Sequence, residues 1–183
     1  MGEEGCDTQG MGTVRTLLVL RHSKSAYPEG AADVDRPLAP RGLRDAAAAG
    51  NWLRDQGLIP DLVLCSVAER TRQTWDLVSD QLGWTGADGE VVRYDPRLYN
   101  ADVTGLTTIV RETPAEVKSL ALVGHNPASG ELALTLTSER ELRFPTSAIA
   151  VIEFSHGWAQ VSPGSGTLAG YWTPKGGSAV GRG

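Results

Sequence analysis

The feature of the sequence that most constrains the fold is a short aliphatic run that recurs three times, each time followed by a helical pattern. The runs are RTLLVL at 15–20, DLVLCS at 61–66 and KSLALVG at 118–124. Continuous aliphatic runs of this length are typical of strands that are covered on both faces. Repeated strand-then-helix units favour a parallel sheet with helices on both sides. The sequence therefore predicts an α/β fold, a three-layer α/β/α sandwich with a mostly parallel central sheet.

Two of the helices are predicted from apolar residues at helical spacing. Segment 40–57 (PRGLRDAAAAGNWLRDQG) predicts a helix that stops at Gly57. Segment 67–83 (VAERTRQTWDLVSDQLG) predicts a second helix, with Ser66 placed to cap its start. The residues expected to face the core are Leu43, Ala46, Ala47, Gly50 and Leu53 in the first helix, and Thr71, Thr74, Trp75, Val78 and Leu82 in the second.

The rest of the chain supplies shorter elements. Segment 102–113 predicts a helix with Leu106, Ile109 and Val110 turned inward, and Asn126-Pro127 is a cap and first-turn signal for a helix over 127–137. The stretch VVRYDPRLY at 91–99 predicts a short strand. SAIAVIEFSHGWAQV at 147–161 predicts two strands of a hairpin that turns at Ser155-His156-Gly157.

The overall charge restricts the class of partner. With 17 Lys and Arg against 22 Asp and Glu, the formal net charge is −5. Nucleic acids and anionic membranes are gathered by a broad positive field, so we expect neither as a partner, and any anion must be bound locally. No stretch approaches the roughly 18 apolar residues that span a bilayer. We expect a soluble, cytoplasmic protein.

Length and terminal composition predict a single domain. A chain of 183 residues is long enough for one proper core and too short for two of ordinary size. The acidic, Gly-rich residues 1–13 are expected to be a disordered lead-in, 14–174 the domain, and 175–183 a flexible tail. Lys175 and Arg182 in that tail are expected to serve solubility.

Chemically active side chains follow the carboxyl ends of three of the predicted strands. Arg21 and His22 follow the first strand, Arg70 lies in the first turn of the helix after the second, and His125 follows the third. In open α/β sheets, ligands bind beyond the carboxyl ends of the strands. We therefore expect these four side chains to face one crevice.

Two arginines and two histidines at one crevice predict a site for a phosphoryl group. The guanidinium group grips phosphate oxygens in pairs and keeps its charge at every relevant pH. A neutral histidine can attack phosphorus and carry the phosphoryl group as a phosphoramidate. Arg21 and Arg70 would disfavour a further positive charge on His22 and would stabilise the charge of the transferring group.

Other phosphatase chemistries fit the sequence less well. The only cysteines are Cys6 and Cys65, and four residues separate Cys65 from Arg70, whereas a cysteine-phosphatase loop needs five and glycines among them. The three histidines of the chain do not lie at metal-ligand spacing, so we expect no metal. No Walker-type loop and no GxGxxG sequence occurs, so no nucleotide cofactor is expected.

Three ordered segments carry a resemblance to a known family. LVLRHSKSAYP at 18–28, CSVAERTRQT at 65–74 and LVGHNP at 122–127 resemble the signature segments of the histidine phosphatase superfamily, which is also called phosphoglycerate-mutase-like. The likeness runs from about Thr16 to about Ala159 and is strongest to the small SixA-like phosphohistidine phosphatases. It implies a phosphoglycerate-mutase-like fold and no cofactor.

The resemblance also implies roles for individual residues. His22 is implied as the residue that is phosphorylated during turnover, Arg21 and Arg70 as phosphate clamps, and His125 as the second histidine, which hydrogen-bonds the phosphoryl group. Ser25 lies where the first loop of the family often adds a phosphate contact. Ser23 stands where the common form of the first motif has glycine, which is compatible with the SixA-like branch.

The proton donor departs from the pattern of many relatives. No acid follows His125, and Asp102 is the only acid in the segment RLYNADVTG. Asp33 and Asp35 in the loop AADVDRP are further candidates. An imidazole leaving group needs a donor less than an alkyl alcohol does, because a phosphoramidate bond breaks more readily than an alkyl phosphate.

These observations predict a metal-independent phosphatase that hydrolyses phosphohistidine or a small phosphate ester through an intermediate on His22. Its partner would be a phosphohistidine-bearing protein or a phosphorylated small molecule. Two alternatives stay open at the level of sequence. One is a small-molecule phosphatase for sugar or nucleotide phosphates, and the other is a non-catalytic module that binds phosphate or a phosphoprotein.

Overall fold

The computed structural model describes residues 14–84 and 91–176. The predicted lead-in and all but two residues of the predicted tail lie outside the described residues. The strands are Arg15–Arg21 (β1), Leu62–Cys65 (β2), Val91–Tyr94 (β3), Ser119–Gly124 (β4), Ile149–Phe154 (β5) and Thr167–Trp172 (β6). The α-helices are Pro40–Asp55 (α1), Glu69–Leu82 (α2), Val103–Arg111 (α3) and Ala128–Thr137 (α4). Within these described ranges, no helix is long and apolar enough to cross a membrane.

One sheet holds all six strands, in the order β3-β2-β4-β1-β5-β6. The four strands from β3 to β1 are parallel, whereas β5 and β6 run antiparallel to their neighbours. The predicted mostly parallel sheet is thereby confirmed. Strand β1 lies between β4 and β5, with Arg21 in register with Gly124 of β4. The carboxyl ends of β1 and β4 are therefore side by side.

Alternating side chains of the strands build two apolar layers, one on each face of the sheet. Leu17 and Val19 of β1 pack with buried residues of α3 and α4. Leu18 and Leu20 pack on the other face with residues of α1 and α2. This alternation follows from the two-residue period of a strand. Because both faces are covered, every position must be apolar, and this explains the continuous aliphatic runs.

The inward faces predicted for the second and third helices are confirmed. The five positions expected on the inner side of α2 and the three on the inner side of α3 are all buried. They are Thr71, Thr74, Trp75, Val78 and Leu82, then Leu106, Ile109 and Val110. In these helices large apolar side chains mark one stripe, so the pattern is unambiguous.

The predicted inner face of α1 is partly wrong. Leu43 is 44% exposed and Ala47 is only half-buried, whereas Gly42 and Ala49 are buried. A Cβ on Gly50 would lie 2.6 Å from the Val78 carbonyl oxygen of α2, closer than real Cβ contacts. Helix α1 therefore approaches α2 along its smallest residues, which a search for large apolar side chains does not detect.

Gly42 brings the start of α1 against the loop that follows β1. A Cβ at this position would lie 2.1 Å from the Lys24 carbonyl oxygen. The same oxygen accepts a hydrogen bond from the Ala39 amide at 2.8 Å. The backbone of the loop is thus seated directly on the first turn of the helix.

The predicted hairpin at 147–161 is wrong in its second strand. After β5 the chain forms a 3-10 turn over Trp158–Gln160, and the antiparallel partner of β5 is Thr167–Trp172. The indole of Trp158 is buried and donates a hydrogen bond to the Val117 carbonyl at 2.7 Å. This contact draws the segment away from the edge of β5 and toward the start of β4.

The stretch 91–99, predicted as one strand, forms two different elements in the structure. Only Val91–Tyr94 pairs with β2, and Pro96–Tyr99 forms a 3-10 turn in which Asp95 accepts a hydrogen bond from the Arg97 amide. Proline presets the φ angle of a first turn and has no amide to donate to a ladder. The predicted strand is correct for its first half, and Asp95-Pro96 is the signal for its end.

We expect Gly50→Ala to destabilise the fold by about 1–3 kcal/mol, because the new methyl group would push α1 away from α2. The matched control is Gly105→Ala in α3, where a Cβ would meet no atom closer than 3.4 Å. That change should be neutral, or stabilising by up to about 1 kcal/mol through helix propensity. Urea unfolding measures both variants. An unchanged free energy of unfolding for Gly50→Ala would contradict the close approach of the two helices.

Candidate active site

A cavity of about 170 Å³ lies beyond the carboxyl ends of β1 and β4. It is lined by Arg21, His22, Lys24, Ser25, Tyr27, Arg36, Arg70, His125, Asn126 and Thr146. Five of these are residues that the sequence singles out for a phosphoryl site, namely Arg21, His22, Ser25, Arg70 and His125. The structure therefore brings all five together, although they come from three separate segments of the chain.

Strand pairing sets the distance between the two histidines. The His22 amide donates to the Gly124 carbonyl at 3.0 Å, one step beyond the ladder of β1 and β4. The centroids of the His22 and His125 rings lie 5.2 Å apart. Because adjacent parallel strands have a fixed spacing, residues that follow their paired ends must lie close together.

The His22 side chain is held as a neutral imidazole with one free nitrogen. Its Nδ1 lies 2.8 Å from the Ser23 carbonyl oxygen. A carbonyl can only accept, so Nδ1 carries the proton and Nε2 keeps its lone pair. The pKa of His22 is lowered to about 3, mainly by burial; the hydrogen bond to the Ser23 carbonyl opposes this shift, and the neighbouring His125, Arg70 and Arg21 add to it to a smaller extent. Desolvation thus contributes more than the arginine charges that the sequence indicated.

Ser66 holds the second histidine. Its Oγ lies 2.8 Å from Nε2 of His125, and it makes no cap hydrogen bond to α2, whose first residue is Glu69. The prediction of Ser66 as a helix cap is therefore wrong. Burial, followed by the charge of Arg70, lowers the pKa of His125 to about 4. A hydroxyl donates as readily as it accepts, so Ser66 is compatible with either tautomer of His125.

Arg70 lies in the first turn of α2 and already has an internal partner. Its Nη1 donates to the Asp33 carbonyl at 2.6 Å, and its Nη2 donates to Oδ2 of Asp33 at 3.1 Å. A longer contact of 3.4 Å joins Nη2 to Nδ1 of His125. The Arg70 side chain is 8% exposed, so Asp33 compensates a buried charge.

Arg21 is held by the segment that precedes β5. Its Nη1 donates to the Phe144 carbonyl at 2.9 Å, and the Asn126 amide group donates to the same oxygen at 2.8 Å. Asn126 therefore ties this segment to the site. The prediction that Asn126 caps α4 is wrong, since that helix has no side-chain cap. Burial lowers the pKa of Arg21. Its buried Nε has no hydrogen-bond acceptor among the described residues.

Sequence reasoning missed Arg36, which lies between the loop acids and the cavity. Its Nη1 donates to Oδ1 of Asp33 at 2.7 Å and its Nη2 donates to Oγ of Ser25 at 2.6 Å. The guanidinium carbon lies 3.4 Å from the centroid of the Tyr27 ring. The signal was available in the loop AADVDRP, where Arg36 follows two aspartates and directly precedes a proline.

None of the three acids considered as proton donors lines the cavity. Asp33 is held ionised, since hydrogen bonds from Tyr99 and Arg36, together with Arg70, keep its pKa well below the usual range. Asp102 caps α3 by accepting from the Gly105 amide at 2.8 Å. Asp35 is exposed at the end of a 3-10 turn.

Cys65 is unsuited to act as a nucleophile. It is the last residue of β2, fully buried, and desolvation raises the pKa of its thiol to about 12. A thiol in this state has almost no thiolate at neutral pH. This agrees with the rejection of cysteine-phosphatase chemistry from the Cys65–Arg70 spacing.

Known proteins resemble the chain over most of its length. The sequence model of the histidine phosphatase superfamily (branch 1) matches residues 17–140. The uncharacterized protein Rv1276c of Mycobacterium tuberculosis is 43% identical over 85% of this chain and its own entire length. The phosphohistidine phosphatase SixA of Escherichia coli is 31% identical over 74% of this chain and 83% of its own.

Solved structures agree with the sequence matches. The structure of the protein histidine phosphatase SixA complexed with tungstate superposes with a TM-score of 0.74 at 28% identity. The match covers 87% of this chain and 97% of that protein.

We expect the neutral histidines to make stability depend on pH. A free imidazole has a pKa near 6.5, so as the pH falls the unfolded chain binds protons at His22 and His125 before the folded chain does. The free energy of unfolding should therefore decrease below about pH 6.5. Between pH 7 and pH 5, His22→Asn should lose about 1–2 kcal/mol less stability than the wild type. Urea unfolding at both pH values measures this difference, and equal losses would contradict a neutral buried His22.

Proposed function

Because the chain belongs to the histidine phosphatase superfamily, we propose that it is a metal-independent phosphatase that forms a covalent phosphohistidine on His22. The observation that carries the proposal is the free Nε2 of a neutral His22 in a cavity shared with Arg21, Arg70 and His125. A neutral imidazole is a nucleophile for phosphorus, whereas an imidazolium ion is not. The site therefore has its nucleophile ready at neutral pH without a separate base.

The reaction proceeds in two displacements. The Nε2 lone pair of His22 attacks phosphorus, and the bond from phosphorus to the leaving group breaks with its electron pair passing to the leaving atom. The leaving atom takes a proton from solvent. Water then attacks the phosphoryl group on His22 and releases a proton to solvent, the N–P bond breaks, and the electron pair returns to Nε2. The products are the dephosphorylated substrate and inorganic phosphate.

The surrounding cations suit the charge of the transferring group. Arg21 and Arg70 both line the cavity. Guanidinium groups fixed before the reaction stabilise the transition state without reorganisation. His125 also lines the cavity; because Nη2 of Arg70 can only donate to its Nδ1, the ring proton lies on Nε2 and is donated to Ser66.

The lining of the cavity favours phosphohistidine as the substrate. Within the described residues no carboxylate lines it, and Asp33 is held ionised by its partners. A site without a general acid suits a leaving group that departs without one, and the imidazole of phosphohistidine is such a group. The small cavity volume, about 170 Å³, matches one phosphoryl group at the end of a side chain. We propose a phosphohistidine-bearing protein as the partner.

We predict that His22 carries phosphate during turnover. Incubation with ³²P-labelled phosphohistidine peptide followed by alkaline quench should leave label on His22 that is stable to alkali and labile to acid. His22→Ala should lower kcat by at least about 10³-fold, because it removes the nucleophile. Ser129→Ala, a buried change outside the cavity lining, serves as the control. Full turnover in His22→Ala would end the covalent proposal.

We predict that Asp33→Asn strengthens the binding of inorganic phosphate about 5–10-fold, because it removes a carboxylate that competes for the Arg70 donors. The matched control is Asp35→Asn, which makes the same charge change on the same 3-10 turn without a contact to Arg70. Isothermal titration calorimetry measures both. Weaker phosphate binding by Asp33→Asn would show that the carboxylate positions Arg70 instead of competing with the ligand.

A further inference from the structure

A wide surface groove lies next to the catalytic cavity. It has a volume of about 600 Å³, against about 170 Å³ for the cavity. Thr146 lines both, and the carbonyl of Phe144 in the groove wall accepts the hydrogen bond from Arg21. A substrate whose phosphoryl group occupies the cavity therefore has its adjoining part at the mouth of this groove.

The groove is positively charged although the chain is acidic. Its lining includes Arg41, Arg143 and Lys175, and no Asp or Glu among the described residues. Arg41 shares its charge with Asp45 at 3.2 Å on an exposed face of α1. In the described part of the chain, Arg143 and Lys175 are exposed and have no carboxylate within ion-pair distance. Two cationic side chains are thus available to a ligand.

The cavity and the groove form one continuous cationic surface. The cavity lining adds Arg21, Lys24, Arg36 and Arg70, again without a carboxylate among the described residues. Arg36 and Arg70 share their charges with Asp33, whereas Arg21 and Lys24 have no carboxylate within ion-pair distance among the described residues. Clefts lined by one sign of charge concentrate ligands of the opposite sign and raise their association rates. The surface is therefore selective for an anionic ligand that extends beyond the phosphoryl group.

The cations of the groove are separated by apolar surface. Arg41 lies in α1, Arg143 precedes β5 and Lys175 follows β6, so they come from three different elements. Phe144, Pro145 and Pro174 contribute to the walls between them. A groove of about 600 Å³ that carries three cations among apolar wall residues has room for an extended peptide with several carboxylates.

We propose that the groove formed by Arg41, Arg143, Tyr171 and Lys175 binds an acidic peptide segment that flanks the phosphohistidine of the substrate protein. This inference rests on the proposed phosphatase function and adds a determinant of substrate choice to it. The acidic segment carries carboxylates for Arg143 and Lys175 while the phosphorylated side chain enters the cavity. Exposed charges of this kind act mainly on the association rate and on its dependence on salt.

The test compares two phosphohistidine peptides that differ only in flanking residues, Asp and Glu in one and Asn and Gln in the other. For the wild type at low ionic strength, kcat/KM should be about tenfold higher for the acidic peptide, and added salt should remove the difference. The double variant Arg143→Glu with Lys175→Glu should lose this preference. Its kcat for free phosphohistidine should stay unchanged, because neither residue lines the cavity.

The matched control is Arg93→Glu with Lys118→Glu, which makes the same charge change on β3, at the other edge of the sheet, and just before β4. This variant should keep the preference for the acidic peptide. Equal rates for the two peptides on the wild type would overturn the proposal. An equal loss in the control would also overturn it, because the effect would then come from net charge. A preference for small bisphosphates over both peptides would overturn the assignment to a peptide.

Failure of the phosphatase function itself would give a different result. If the wild type released no phosphate from free phosphohistidine, the proposed function would be wrong, whatever the groove binds. Fluorescence anisotropy with the unphosphorylated acidic peptide then tests the groove alone. Binding that weakens in the Arg143→Glu, Lys175→Glu variant would support the groove as an acidic-peptide site, and no binding to the wild type would overturn it.

Discussion

The pairing of β1 with β4 is the constraint on which the site depends. These two parallel strands lie side by side in the middle of the sheet, and their ladder continues through the hydrogen bond from the His22 amide to the Gly124 carbonyl. A shift of this register by one residue would turn the side chains of β1 to the opposite face. The apolar layers on both sides of the sheet prevent such a shift, so core packing fixes the spacing of the two histidines.

Electrostatics within the site follow from how the histidines are buried. Desolvation favours the neutral form of both rings, and the adjacent guanidinium groups act in the same direction. The arginines keep their charge, and Asp33 balances one of them from a 3-10 turn at the rim. The site thus combines neutral rings with permanent cations, which is the distribution that an anionic substrate and a neutral nucleophile require.

The sequence predicted those parts of the molecule that depend on local pattern. Continuous aliphatic runs indicated β1, β2 and β4, and the polar residues at their ends indicated a shared crevice, because parallel topology places strand ends together. The inner face of α1 was missed since Gly42 and Gly50 act by bringing backbones close, without an apolar side chain to mark them. The partner of β5 was missed because a distant carbonyl, that of Val117, holds Trp158. Ser66 could not be assigned to His125, since 59 residues separate them.

The contact between Gly42 and the loop after β1 fixes the position of the cavity relative to the start of α1. Lys24 lines the cavity and Arg41 lines the groove, while the Lys24 carbonyl lies directly on the first turn of α1. No side chain lies between this carbonyl and Gly42, so a change of rotamer cannot let the loop shift along the helix. The spacing between the cavity and Arg41 is therefore set at this point by a backbone contact. Under the functions proposed above, substrates would be sorted by whether the interval between their phosphoryl group and their acidic residues matches this spacing.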